Sequence, residues 1–169
     1  MRAVEGLIDE AISTAGRVAR ELRPGILKDF GLAAAIECQA DDFSQRVGLN
    51  CDTTGIAHEI DPDEATSLAL FRVFQEALTN VAKHAHATWV GVKLGTDGDN
   101  LVLEVVDNGR GISAEDMNKP KSFGLRGIRE RMRDLGGSLE LSSNSPAGTR
   151  IILRAPYKPN ETARQEGPQ

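Results

Sequence analysis

Two stretches of this chain can only fold back on themselves. Thr88-Trp89-Val90-Gly91-Val92-Lys93-Leu94 alternates in the period of a strand, Asp97-Gly98 is a tight-turn signal, and Leu101-Val102-Leu103-Glu104-Val105-Val106 returns as a second strand. Ser138 to Ser143 and Thr149 to Ala155 repeat the pattern around a Ser145-Pro146-Ala147-Gly148 turn. Short turns join antiparallel neighbours, whereas parallel strands need a crossover of a dozen residues or more. Helical stretches are interleaved with these hairpins. The expectation is therefore an α+β fold, a two-layer α/β sandwich whose mixed, mostly antiparallel sheet carries helices on one face. A doubly wound parallel sheet would need crossovers where the hairpins stand.

The 169 residues suit one domain with a small appendage, and the formal net charge of -5 argues against a nucleic-acid partner, because phosphate backbones call for a basic face. No uncharged apolar run approaches the length of a membrane span. Acids in Met1-Arg2-Ala3-Val4-Glu5-Gly6-Leu7-Ile8-Asp9-Glu10 stand where a signal peptide would have its apolar stretch. Cys38 and Cys51 have no CxxC spacing and are too few for a disulfide framework, which suits reduced thiols in the cytoplasm.

Met1, Val4, Ile8, Ala11, Ala15, Val18 and Leu22 alternate spacings of three and four, the seam of a helix wound against partner helices. A helix packed on its own domain is the alternative. Arg23-Pro24-Gly25 should end this helix. A second amphipathic stretch puts Leu32, Ile36, Ala40, Phe43 and Val47 on one face, and Leu49 to Thr53 fits a short strand. Asp61-Pro62-Asp63-Glu64 reads as a helix start with the cap at Asp61 and Pro62 at the first helical position. That helix should run to about Ala85. Phe123 to Leu135 reads as a further helix stopped by Gly136-Gly137, and the tail after Tyr157 has the composition of disordered chain.

Three segments carry groups suited to chemistry. On the helix from Pro62, at 100° per residue, Leu70, Phe74, Ala77, Leu78 and Val81 share one side. Glu76, Asn80 and Lys83 rise on the opposite side, with His84 at the edge. A solvated polar face would look the same. Asp107-Asn108-Gly109-Arg110-Gly111 follows a strand. Its glycines would let backbone approach a planar ligand, and its carboxylate can accept from an exocyclic amine such as that of adenine. A plain turn is the bland alternative. The dinucleotide fingerprint is not, since a hairpin precedes the segment instead of a strand–helix–strand unit. The third segment, Ser122-Phe123-Gly124-Leu125-Arg126-Gly127-Ile128, places glycines at a helix start, where free N–H groups and the dipole favour phosphate. No GxxxxGK[ST] loop, His/Cys metal cluster, GxSxG elbow or protein-kinase set accompanies them.

In order, these segments resemble the ATP-binding domain shared by gyrase, heat-shock chaperones, sensor histidine kinases and mismatch-repair proteins, a Bergerat-type fold. Glu76 to Ala85 is similar to its N box, Asp107 to Gly111 to its first glycine box, Phe123 to Ile128 to its second, and Gly148-Thr149 to its closing Gly-Thr. Glu21-Leu22-Arg23-Pro24, Leu27 and Gly31-Leu32 resemble the linker of nitrate-sensor-type bacterial histidine kinases. By that likeness residues 1–23 correspond to the second helix of a truncated dimerisation and phosphoacceptor domain, 24–30 to the linker, 31–157 to the ATP-binding domain and 158–169 to a disordered tail.

The resemblance implies a protein-histidine kinase of two-component signalling that uses ATP and Mg²⁺. Asn80 would hold Mg²⁺ through its amide oxygen, and Glu76 would orient a metal-bound water or act as base towards the acceptor. Lys83 and His84 would lie near the phosphates. Asp107 would take the adenine amino group with support from Thr149. Gly109, Gly111 and Ile112 would line the nucleotide, and Gly124, Leu125 and Gly127 would close over the phosphates. The γ-phosphoryl group would pass to a histidine on a dimerisation helix upstream of this chain, since no histidine precedes His58 and neither His84 nor His86 is a credible acceptor. Implied partners are that helix, a response regulator and, for the full-length protein, a second copy. The setting would be cytoplasmic, with a membrane anchor possible only through segments absent here. The stretch Ile112 to Ser122 is short for the family and implies an abbreviated lid. An anti-sigma-type serine kinase or binding module of the same fold is the competing assignment, disfavoured by the heptad helix and linker.

Overall fold

The structure, a computed structural model, describes residues 24–111, 123–144 and 146–160, with the side chains of Pro24 and of residues 123–126 outside the description. The stretches expected as a heptad helix and as an abbreviated lid, Ile112 included, and the tail from residue 161 lie outside the described residues.

The elements run α1 (Pro24–Val47), β1 (Asn50–Ile56), α2 (Glu64–Asn80), a π-helical turn (Val81–Ala85), β2 (Trp89–Asp97), β3 (Asn100–Asp107), α3 (Phe123–Asp134), β4 (Ser138–Ser143) and β5 (Thr149–Pro156). The five strands form one sheet in the order β1-β2-β3-β5-β4. Both expected hairpins are present and antiparallel, Val92 opposite Val105 in one and Leu141 opposite Ile151 in the other. β3 and β5 also pair antiparallel and place Leu103 opposite Leu153. Only β1 and β2 run parallel, and α2 is the crossover that this pairing needs.

Side chains alternate along each strand, so burial alternates too. Val90, Val92, Leu94, Leu101, Leu103 and Val105 point into the core under the helices. α1 and α2 pack against each other, and α3 packs on α2, β4 and β5 through buried Ile128 and Met132. The expected apolar stripe of α2 (Leu70, Phe74, Ala77, Leu78, Val81) is buried throughout. The stripe of α1 is shorter than expected: Leu32, Ile36, Ala40 and Phe43 are buried, but Val47 is 43% exposed in the last turn. The opposite face of the sheet has no helix over it among the described residues. A groove of about 400 Å³ runs there past Asp52, Trp89, Lys93, Glu104 and Arg150.

Three local details differ from the sequence expectation. Residues 24–30, expected as a linker, are helical and join the rest of α1 at a kink on Gly31 (φ 81, ψ 179). The cap of α2 is Asp63, two residues later than expected, because Pro62 pairs with Pro159 in an isolated bridge. The Asp63 carboxylate accepts from the Thr66 amide (2.9 Å) and the Thr66 hydroxyl (2.8 Å). The start of the tail is tied down as well: the Asp63 amide donates to Lys158 and the Asn160 amide to Asp61, each at 2.8 Å. At the C-terminus of α3 the Gly136 and Gly137 amides bond back to Arg133 (2.9 Å) and Met132 (2.7 Å), the stop that a Gly-Gly pair encodes.

Candidate nucleotide-binding site

The polar face of α2 is cut short by a change of helix type. Glu76 and Asn80 are one α-helical turn apart and both half-buried at its C-terminal end. From Val81 the chain widens into the π turn, a rare form that concentrates at functional sites, and ends on His86 in the left-handed region (φ 53). Lys83 and His84 therefore leave the 100° ladder assumed from sequence, and both are exposed. Their place beside the site comes instead from what the π turn does with its carbonyls.

Those carbonyls receive the loop after β3. The Arg110 amide donates to the Ala85 oxygen (2.8 Å), and Arg110 Nε donates to the His84 oxygen (2.6 Å). Gly109 lies so close to the Ala85 carbonyl that a β-carbon would collide with it. Asn108 completes the junction. Its Oδ1 accepts from the amides of Thr88 (2.9 Å) and Trp89 (3.0 Å), and its Nδ2 donates to the Thr88 hydroxyl (2.9 Å). Sequence reading placed Asn108 and Arg110 in the motif but gave them no task; their partners lie about twenty residues or more away in sequence and carry no local signal.

Asp107 stands at the end of β3 on the helix-facing side and is 5% exposed. One carboxylate oxygen accepts the Gly109 amide at 2.8 Å. The other accepts no hydrogen bond among the described residues. A second loop reaches the same place. Gly148, in the β4–β5 turn with φ +110, packs against the Asp107 carbonyl where no β-carbon fits, and Gly111 approaches the Gly148 carbonyl. Thr149 begins β5 directly after it and pairs with Ser143. The structure thus brings Asp107, Gly109, Gly111, Gly148 and Thr149 together with the π turn that carries Lys83 and His84. Gly124, Leu125 and Gly127 lie in the first turns of α3, of which Gly127 alone has a described environment, half-buried near Arg131.

Glu76 and Asn80 make no side-chain hydrogen bond or ion pair among the described residues. They offer one carboxylate and one amide oxygen on one helix face. No cluster of three or more His, Cys, Asp or Glu suited to a metal occurs among the described residues. That donor set suits Mg²⁺, which takes one or two protein oxygens and keeps the rest of its shell from water and phosphate.

The family model for histidine kinase-, DNA gyrase B- and HSP90-like ATPases matches residues 65–159. The chain belongs to that ATPase family. Among curated relatives of this ATPase domain, it is 36% identical over 169 residues to the sensor histidine kinase MctS of Rhizobium johnstonii, covering 98% of this chain and 36% of the relative. It is 32% identical over 170 residues to the sensor histidine kinase LiaS of Bacillus subtilis, covering 98% of this chain and 45% of the relative. The chain therefore spans less than half the length of these relatives. Among solved structures, the histidine kinase domain of the Erythrobacter litoralis EL346 blue-light activated kinase superposes with a TM-score of 0.63 at 23% identity, over 75% of this chain and 61% of that one. The ATP-binding domain of PrrB from Mycobacterium tuberculosis gives 0.59 at 21% identity, over 73% and 91%. Both show that the ATPase-family fold is the one described above. No described helix is long and apolar enough to cross a membrane.

Proposed function

We propose that this ATPase domain binds MgATP and donates its γ-phosphoryl group to a histidine on a separate dimerisation helix, as the catalytic part of a two-component sensor kinase. The observation that carries the reading is the convergence of three distant segments on Asp107. Its buried carboxylate is anchored through one oxygen to Gly109, and its other oxygen is without a hydrogen-bond partner among the described residues. That oxygen is open to a donor from outside the fold, such as an adenine amino group. Gly109 and Gly111 keep the loop thin enough for the base, with Thr149 beside it.

Asn80 would hold Mg²⁺ through its amide oxygen; when bound, the metal would neutralise charge on the transferring phosphates. Lys83 and His84, exposed on the π turn, would lie near the phosphates, and Gly124, Leu125 and Gly127 would offer N–H groups at the start of α3. In the transfer the bond from the γ-phosphorus to the ADP oxygen breaks as the acceptor nitrogen forms its own. The imidazole proton leaves to Glu76 acting as base. Positioning supplies most of the rate.

The acceptor is not one of this chain's histidines. His58 pairs with Glu37 of α1 at 3.2 Å, and His84 and His86 stand exposed on the π turn and at its end, inside and just past the stretch similar to the N box. Residues 1–23 would be the second helix of the dimerisation bundle, 24–30 the connection and 31–157 the catalytic domain. A response regulator would receive the phosphoryl group in the cytoplasm, and the full-length kinase would act as a homodimer. Both curated relatives described above are named sensor histidine kinases, which favours this assignment over the anti-sigma alternative.

Calorimetric titration with ATP, with and without Mg²⁺, tests the reading on the native chain and on Asn80→Ala. The native chain should bind more tightly with Mg²⁺, and the variant should lose that increment. Absence of binding at millimolar ATP would defeat it. Labelled ATP should leave this chain unphosphorylated on histidine until a dimerisation hairpin bearing the acceptor is added.

A further inference from the structure

Asn144 belongs to none of the motifs, yet it reaches the residue at the centre of the site. It follows β4, is half-buried, and its main-chain amide donates to the Gly148 carbonyl across the turn at 2.9 Å. Its side-chain Nδ2 donates to the main-chain carbonyl of Asp107 at 3.2 Å. The acceptor decides the orientation of this amide, since a carbonyl can only receive.

The peptide between Asp107 and Asn108 is consequently held from two sides. Asn144 and Gly148 meet its oxygen from the β4–β5 turn. From the other side the Asn108 amide donates to the Trp89 carbonyl at 3.3 Å, and the Asn108 side chain grips Thr88 and Trp89. Turning this peptide would turn the Asp107 α-carbon and swing its carboxylate. The Gly109 amide fixes only one carboxylate oxygen. The direction of the second oxygen depends on the peptide plane that Asn144 holds.

We propose that Asn144 is a positioning residue for base recognition. It holds the Asp107 peptide so that the carboxylate oxygen without a partner among the described residues faces the exocyclic amino group of adenine. This rests on the reading that Asp107 accepts from that amino group. A residue that merely staples the β4–β5 turn would affect every nucleotide alike. A residue that aims the carboxylate affects only ligands that use it.

The test is titration of the 169-residue chain, native and as Asn144→Asp and Asn144→Ala, with MgATP and with MgITP. Inosine carries a carbonyl where adenine carries the amino group, so its exocyclic position cannot donate to Asp107. Asn144→Asp keeps the shape and removes the donor. The native chain should prefer ATP by about tenfold or more. Both variants should lose roughly three- to tenfold in ATP affinity while ITP affinity stays within about twofold. Because the readout is a ratio of two dissociation constants on one preparation, partial unfolding of a variant does not mimic it. Equal weakening of both nucleotides, or unchanged ATP binding, overturns the assignment of Asn144 alone. A native chain that does not distinguish ATP from ITP instead overturns the reading of Asp107, and the proposal with it.

Discussion

Gly109 and the carbonyl of Ala85 are in direct contact across twenty-four positions of sequence, with no room for a β-carbon between them. The obstructing atom is backbone, so it cannot swing aside as a side chain would. The same carbonyl receives the Arg110 amide, and any retreat breaks that bond. Gly109→Ala should therefore separate the Asp107 loop from the π turn. The expected result is a loss of about 2 kcal/mol or more in stability, read by urea unfolding, with ATP affinity falling by over tenfold. A variant that keeps native stability and affinity would show that the contact does not set the loop.

Asn108 holds the start of β2 with three hydrogen bonds, two of them to the amides of Thr88 and Trp89. Trp89 is the chain's one tryptophan, so its emission reports this junction without a label. Its indole lies over Gly91, which leaves it the space. Asn108→Ala should cost about 1 kcal/mol, because the exposed amides of this junction can turn to water. The freed ring should become more hydrated and its emission should move to longer wavelength. ATP added to the native chain should alter the same signal.

The sheet was legible because hairpins declare themselves locally: alternation of period two, then Asp97-Gly98 or the turn ending at Gly148. The buried stripe of α2 was equally legible from its 100° spacing. Three features were not. The π turn after Asn80 has no sequence signature, so helical spacing puts Lys83 and His84 on a ladder that stops before them. Pro62 suits a first helical position and so points to a cap at Asp61, whereas pairing with Pro159, nearly a hundred residues on, keeps Pro62 outside the helix. Asn144 gave no signal, since its role depends on the β4–β5 turn meeting the end of β3 in space. Period and turn chemistry act over a few residues; these contacts exist only after the sheet has formed.

Cys51, half-buried in β1, is pushed up from 9.0 to about 11, first by burial and then by the charge of Asp41. The folded chain therefore keeps this proton at a pH where the unfolded chain has released it. The associated stability is complete below pH 9.0, falls as pH rises from there, and is exhausted above about 11. Urea unfolding of native chain and Cys51→Ser at about pH 8 and 10.5 checks the sign. The native chain should lose more stability between the two than the variant. On a Cys38→Ser background, alkylation of Cys51 at about pH 8 should be slower than that of a free thiol, because the thiolate is the reactive form.

Asp63 and Asn80 stand at opposite ends of α2, and that separation lets stability and binding be measured apart. At 1.5 Å per residue the helix puts about 25 Å between the cap and the Asn80 amide. Asp63→Ala removes the acceptor of the Thr66 amide and hydroxyl and should cost about 1 kcal/mol, or roughly 2–4 °C in Tm for a chain of this size. The rest of α2 is pinned by Leu70, Phe74, Ala77 and Leu78, all buried, so the helix should stay in place beyond its first turn. Affinity for MgATP should then be unchanged within about twofold. A large loss of affinity in Asp63→Ala would mean that the position of Glu76 and Asn80 depends on the far end of their helix, and that the bond from the Asp63 amide to Lys158 belongs to the same coupled unit.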